Sequence, residues 1–149
     1  MKKFYIAYGS NLNKNQMKYR CPHAEPYASG ALKDYELLFK GSKTGAYATV
    51  EPKKGEEVPV GVWLIDAVDE KHLDRYEGYP NFYYKTHVFV ETDRGLIDGM
   101  IYIMHEDRPI GQPTEHYVGV CMRGYDDFNL NKLALLDALF TNELREERK

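Results

Sequence analysis

The stretch Val58-Pro59-Val60-Gly61-Val62-Trp63-Leu64-Ile65 decides the architecture. Val58, Val60, Val62 and Leu64 recur at period two, and the intervening Pro59, Gly61, Trp63 and Ile65 are largely apolar as well. Successive strand side chains point to opposite faces, so a strand apolar on both faces is covered on both, as in a covered sheet or a closed barrel.

Toward the N-terminus, Phe4 to Ala7 is a second apolar and aromatic run that stops at Gly9-Ser10-Asn11, the pattern of a buried strand running into a turn. Ala28–Phe39 and Ala46–Val50 read as two further strands, joined by the turn residues Gly41 to Gly45. Toward the C-terminus, Thr86, Val88, Val90 and Thr92 alternate with Lys85, His87, Phe89 and Glu91. Asp93-Arg94-Gly95 then turns the chain into Ile97, Gly99, Ile101 and Ile103, a β-hairpin.

Helices are expected between these strands and after the last of them. One spans Asn13 to Arg20 and ends before Pro22. Another is capped by Asp69, carries Leu73 and Tyr76 on one face and stops at Gly78. Thr114 caps a third through Tyr117 and Val120, and Asn131 a last one with Leu133, Leu136, Phe140 and Leu144 at helical spacing. Residues 1–149 therefore read as one α+β domain with a mixed or barrel-like sheet.

Twenty basic against 23 acidic residues give a charge of −3, with the signs interspersed, which argues against a nucleic-acid binder and for a small-molecule or protein partner. Cys21 and Cys121 lie far apart with no ligand spacing, and His23, His72, His87, His105 and His116 form no His-x-x-x-His pair, so no metal is expected. Neither a Walker-type loop nor a Gly-x-Gly-x-x-Gly fingerprint occurs, so the chemistry should need no cofactor. The N-terminal apolar run is too short for a signal peptide, and no run approaches the ~20 apolar residues of a membrane helix. A soluble, cytoplasmic protein is the expectation, as a monomer or a homodimer.

Three features could carry chemistry. Tyr8-Gly9-Ser10-Asn11-Leu12 follows a strand and precedes a helix, so its backbone N–H groups can converge on a carboxylate or an oxyanion; it also serves as a plain connection with an asparagine cap. Glu77, flanked by Tyr76 and Tyr79, is either a surface carboxylate or a general base whose pKa burial raises. Its place at a helix C-terminus opposes the dipole at a cost of about 0.3–1 kcal/mol. The third feature is a crowd of tyrosines, Tyr76, Tyr79, Tyr83 and Tyr84 around Glu77 with Tyr117 and Tyr125 beyond, whereas Tyr5, Tyr27, Tyr35, Tyr47 and Tyr102 read as packing residues. Ser10 as a nucleophile would need a base that the local sequence does not place beside it.

In order along the chain, Phe4 through Leu12, then Leu73-Asp74-Arg75-Tyr76-Glu77-Gly78, then Tyr117 through Gly124 resemble the γ-glutamylcyclotransferase-like family. Cys21-Pro22, Ala31-Leu32, Phe39, Ala48-Thr49-Val50 and Val60-Gly61-Val62-Trp63 extend the likeness over nearly the whole chain. The resemblance implies a small mixed-strand β-barrel flanked by helices and a γ-glutamyl small-molecule substrate. It further implies a loop from Tyr8 to Leu12 that binds the γ-glutamyl group, Glu77 as catalytic acid/base, and Tyr84 and Tyr117 lining the pocket. It leaves open the leaving amine, and a non-catalytic binding protein on the same barrel is the competing class. Arg123-Gly124-Tyr125-Asp126-Asp127 and Pro80-Asn81-Phe82 stand where they could reshape the substrate's approach.

Overall fold

The computed structural model describes residues 2–147. Five strands close into a barrel in the order β1-β3-β2-β4-β5. Strand β1 (Lys3–Ala7) runs antiparallel to β3 (Tyr47–Ile65) and parallel to β5 (Gly95–Met104), so the sheet is mixed, as expected. Strand β2 (Glu25–Lys40) pairs with β3 along nearly its full length, and β4 (Tyr83–Thr92) forms the C-terminal hairpin with β5.

The stretch from Val58 to Ile65 lies almost wholly out of solvent. Val58, Val60 and Val62 are fully buried on one face. On the other, Gly61 and Trp63 meet the ring of Phe128, and a Cβ on Gly61 would lie 2.7 Å from both Phe128 and Leu12. The double apolar pattern thus records a strand with barrel core on one side and a helix end with a turn on the other.

One expected break is absent. Ala46–Val50 and residues 58–65 read as separate strands, but residues 47–50 and 58–65 belong to the single strand β3, which Ala46 precedes. Lys33 opposes Glu57 while Tyr35 opposes Pro52, so Asp34 alone faces residues 53–56 in a large bulge. Asp34 and Gly55 both take positive φ there, and the Gly55 N–H donates to Asp34 Oδ1 at 3.0 Å. The polar run Lys53-Lys54-Gly55-Glu56 has the composition of a loop, but the bulge absorbs it and the ladder resumes on both sides. The distal half of the hairpin is fastened to the end of β5, where the Met104 N–H donates to Thr49 Oγ1 at 3.0 Å.

Among the described residues four helices flank the barrel: α1 (Lys14–Arg20), α2 (Ala67–Tyr76), α3 (Glu115–Asp127) and α4 (Leu133–Glu147). Helix α2 begins earlier than expected. Asp66, not Asp69, is its N-cap, and Asp69 is the reciprocal partner in a capping box. Thr114 caps α3 as expected, but the helix continues to Asp127, because Gly124 lets it press against Leu12 and Asn13 without a side chain between. Among the described residues no helix is long and apolar enough to cross a membrane.

Candidate active site

The site forms where β1 ends. Ala7 is its last paired residue, and the chain leaves the barrel through Tyr8 and Gly9 into one 3-10 turn, Ser10–Leu12. That turn is clamped on three sides. Trp63 Nε1 donates to the Asn11 carbonyl at 2.9 Å, Asn13 Nδ2 donates to the Val120 carbonyl at 3.0 Å, and the Lys14 N–H donates to Asp127 Oδ2 at 2.9 Å. The first bonds inside the turn are donated by Leu12 and Asn13, so the N–H groups of Gly9, Ser10 and Asn11 precede its hydrogen-bonded part.

Glu77 arrives from the other side. It is the C-cap of α2, and Gly78, at φ +64°, ends the helix in a Schellman motif: the Tyr79 N–H donates to the Asp74 carbonyl and the Gly78 N–H to the Arg75 carbonyl. Gly78 is needed here because an ordinary side chain is strained at that φ. The motif turns the chain back toward β4 and leaves Glu77 facing a cavity of about 180 Å³. That is below the ~300–1,000 Å³ of drug-sized pockets and fits a group the size of one amino acid.

The structure gathers most of the expected residues around this cavity: Tyr8, Gly9, Ser10, Asn11, Glu77 and Tyr117 all line it. Two do not. Leu12 is fully buried beneath α3, where it packs rather than binds. The Tyr84 hydroxyl donates to Glu106 away from the cavity, and its strand neighbour Tyr83 is the lining residue. Adjacent strand residues face opposite ways, so a displacement of one position changes the side entirely.

Other tyrosines expected only to pack, Tyr5, Tyr47 and Tyr102, line the cavity too, making seven with Tyr8, Tyr76, Tyr83 and Tyr117. Their hydroxyls fasten the walls. Tyr8 donates to the Tyr102 carbonyl at 2.7 Å and Tyr83 to the Ala48 carbonyl at 2.7 Å, while the Ala48 N–H donates to Tyr117 at 3.0 Å. Two phenols thus satisfy both backbone groups of Ala48 on the β3 edge that β2 does not use. Gly9 lies against this arrangement, where a Cβ would come within 3.2 Å of the Tyr117 hydroxyl.

Glu77 Oε1 lies 3.5 Å from Asn11 Nδ2, which also donates to the Tyr5 hydroxyl at 2.7 Å. Burial pushes the Glu77 carboxyl up to about 7, against the Arg20 guanidinium and the Asn11 amide, which pull it down. Arg20, a residue the sequence reading passed over, donates to Asn11 Oδ1 and stacks 3.6 Å over the Tyr76 ring. Burial, with the Glu77 charge beside it, raises the phenols of Tyr5 and Tyr8 well above their ordinary range, so they remain neutral donors.

Ser10 Oγ lies 3.3 Å from the Tyr76 hydroxyl, and this phenol is no base for a nucleophilic serine. Outside the cavity, His23, Asp66 and Asp69 bring possible ligand atoms within 4.8 Å of one another. Their oxygens are taken by the α2 capping box and by the backbone N–H of His23, and His23 Nδ1 pairs with Asp66 Oδ2 at 2.8 Å. That cluster starts a helix.

A model of the family described as gamma-glutamyl cyclotransferase, AIG2-like, matches residues 5–120, a span that contains the turn, Glu77 and Tyr117. Bovine gamma-glutamylcyclotransferase is 35% identical over 99 residues, 61% of this chain and 53% of the bovine one, so the chain spans about half the length of the curated relatives it matches. A solved gamma-glutamyl cyclotransferase structure superposes with a TM-score of 0.82 at 26% identity, over 96% of this chain and 87% of that chain. A human structure superposes with a TM-score of 0.81 at 28% identity, over 95% and 86% of the two chains. A barrel whose first strand ends in a Tyr-Gly-Ser-Asn turn opposite a helix-capping glutamate, matched by a family model over most of its length, belongs to the gamma-glutamyl cyclotransferase, AIG2-like family.

Proposed function

We infer that the protein is a γ-glutamylcyclotransferase that releases 5-oxoproline and a free amine from a γ-glutamyl amine or amino acid, with Glu77 as general acid/base. The observation that carries this reading is a single carboxyl with a pKa of about 7, lining an amino-acid-sized cavity beside the Gly9–Asn11 turn. A general base works best when its pKa lies near the working pH.

The substrate carries its own nucleophile, since the α-amine stands at five-membered-ring distance from the γ-carbonyl. Holding that chain folded in a small cavity supplies the large effective concentration of an intramolecular reaction. Glu77 takes a proton from the α-nitrogen, which then attacks the γ-carbon, and a C–N bond forms as the carbonyl oxygen gains negative charge. Backbone N–H groups of Gly9, Ser10 and Asn11 stabilise that oxygen in this reading. Collapse of the tetrahedral intermediate breaks the bond to the departing nitrogen, and Glu77 returns the proton to it. No water or cofactor is consumed. The neutral phenol of Tyr8 holds the wall through the Tyr102 carbonyl, and that of Tyr117, which accepts from the Ala48 N–H, offers its own proton to the glutamyl carboxylate. The buried free thiols of Cys21 and Cys121 suit a reducing compartment, which favours the cytoplasm.

The test is to incubate the protein with a panel of γ-glutamyl amino acids and γ-glutamyl-lysine amides and follow 5-oxoproline by mass spectrometry, with Glu77→Gln alongside. Product from the wild type alone is the expected outcome. Product from both proteins removes Glu77 from the mechanism, and a wild type that binds the panel without turnover leaves the binding-protein reading.

A further inference from the structure

The two ends of the cavity differ in chemistry, and the outer end bears on the group that departs. Of its lining residues Ser10 and Asn11 are buried and Glu77 is half-buried, whereas the rings of Tyr47, Tyr76 and Phe82 form the mouth, with the Tyr76 hydroxyl reaching inward to Ser10. Tyr47 and Tyr76 are 47% and 45% exposed and Phe82 is half-buried, so these rings stand where the cavity meets solvent.

The three rings come from separate segments: the start of β3, the end of α2 and the residue before β4. The Tyr47 ring stands edge-on to Phe82, with centroids 6.3 Å apart at 90°, and to Tyr117 deeper in, at 5.3 Å and 81°. Arg20 stacks 3.6 Å over Tyr76 and Arg108 4.7 Å over Phe82, bracing two of the rings. Both guanidiniums are already engaged, Arg20 with Asn11 and Gln16 and Arg108 with the Asn81 carbonyl. Among the described lining residues Glu77 is the one charged side chain.

An aromatic mouth offers an apolar group area and an edge-to-face partner, and gives a cationic group no carboxylate outside the reaction centre. The inference rests on the proposed cyclisation, which seats the glutamyl part at Glu77 and directs the departing amine to the mouth. We propose that the substrates are γ-glutamyl derivatives of apolar, above all aromatic, amino acids or amines, and that Tyr47 and Phe82 select the leaving group.

The experiment compares kcat/KM for γ-glutamylphenylalanine, γ-glutamylglycine and ε-(γ-glutamyl)lysine in the wild type, Tyr47→Ala, Tyr47→Phe and Phe82→Ala. Binding of the first two compounds to Glu77→Gln is measured by calorimetry. The phenylalanine compound should exceed the glycine and lysine compounds by about 10-fold or more, the scale at which one apolar subsite discriminates. Tyr47→Ala should erase most of that preference through KM with kcat little changed, because the contact exists before and during the reaction. Tyr47→Phe should keep the preference, since the ring survives. Equal values across the three compounds, or a preference for lysine, overturn the proposal while leaving the cyclisation intact. Absence of turnover for every compound overturns the cyclisation reading. In that case an aromatic preference in the binding arm still supports the selective mouth, and equal binding overturns it.

Discussion

Glu70 and Glu77 lie seven residues apart on one helix, two turns along the same face of α2, yet they are in opposite electrostatic situations. At the N-terminal end, burial works against the Glu70 charge, but Lys3 at 2.7 Å and Lys85 at 2.8 Å more than offset it and hold the carboxyl below its ordinary range. At the C-terminal end Glu77 has the Asn11 amide within reach and Arg20 nearby, and burial raises it to about 7. The helix dipole adds to the contrast, since its positive end lies by Glu70 and its negative end by Glu77. Identical side chains become a structural anchor and, in the proposed mechanism, a proton carrier because of what stands around them.

Lys85 sharpens the contrast. It bonds Glu70 and also Asp74 at 2.9 Å, and Asp74 accepts from the hydroxyl of the cavity-lining Tyr102 at 2.6 Å. The charges that stabilise the fold therefore reach the outside of the cavity wall and stop there.

The strongest way to break the comparison is Glu77→Gln. Turnover should fall by about 10²–10⁴-fold, the usual worth of a positioned acid/base, in the 5-oxoproline assay. The same variant should be more stable than the wild type at pH 8. A carboxyl whose folded-state pKa is raised holds its proton more tightly in the native state, so its contribution to stability is lost as pH rises from about 4.5 to about 7. The cost of keeping Glu77 ionised is fully present above that window, at up to ~3 kcal/mol, and glutamine carries none of it. Urea unfolding at pH 5 and pH 8 checks this: the variant should gain stability over the wild type only at the higher pH.

Removing the nearby cation comes next. The acid limb of the wild-type kcat/KM profile should inflect near pH 7, and Arg20→Met should move that inflection to higher pH, because the guanidinium pulls the Glu77 pKa down. An unmoved profile would detach Arg20 from Glu77.

At the other end of α2, Glu70→Gln should cost about 1 kcal/mol or less, as partly exposed ion pairs do. The Glu70 pKa is lowered, so its contribution is present above about pH 4.5 and lost as pH falls further. The gap between wild type and variant in thermal unfolding should therefore narrow as pH is lowered below about 4.5. The smallest effect belongs to Tyr84→Phe. Its hydroxyl meets Glu106 outside the cavity, so kcat/KM should change by less than about twofold.

Much of this was legible along the chain. The period-two pattern from Val58 to Ile65, the hairpin around Asp93-Arg94-Gly95 and the strand-to-turn junction at Gly9 are local, and each formed where the pattern placed it. The bulge that joins residues 47–50 and 58–65 into one strand was not legible, because a polar, glycine-containing run has the same composition in a bulge as in a loop. The tyrosines mark the same boundary more sharply. Tyr5, Tyr47 and Tyr102 are ordinary strand residues by type, and they share the cavity only because β1, β5 and the start of β3 are brought together, the last fastened to β5 by Thr49 and Met104.

The sequence by itself determined a barrel-forming set of strands, a helix ended by Gly78 with Glu77 at its C-cap, and a Gly-Ser-Asn turn after the first strand. These follow from side-chain alternation and backbone preference, which act over a few residues. Only the tertiary structure decided that Glu77 faces a small tyrosine-walled cavity, that Tyr83 rather than Tyr84 lines it, and that the Glu70 pKa is lowered while that of Glu77 is raised. Burial and charge environment are set by residues distant in the chain, such as Arg20 for Glu77 and Lys3 and Lys85 for Glu70, and no local pattern carries that information.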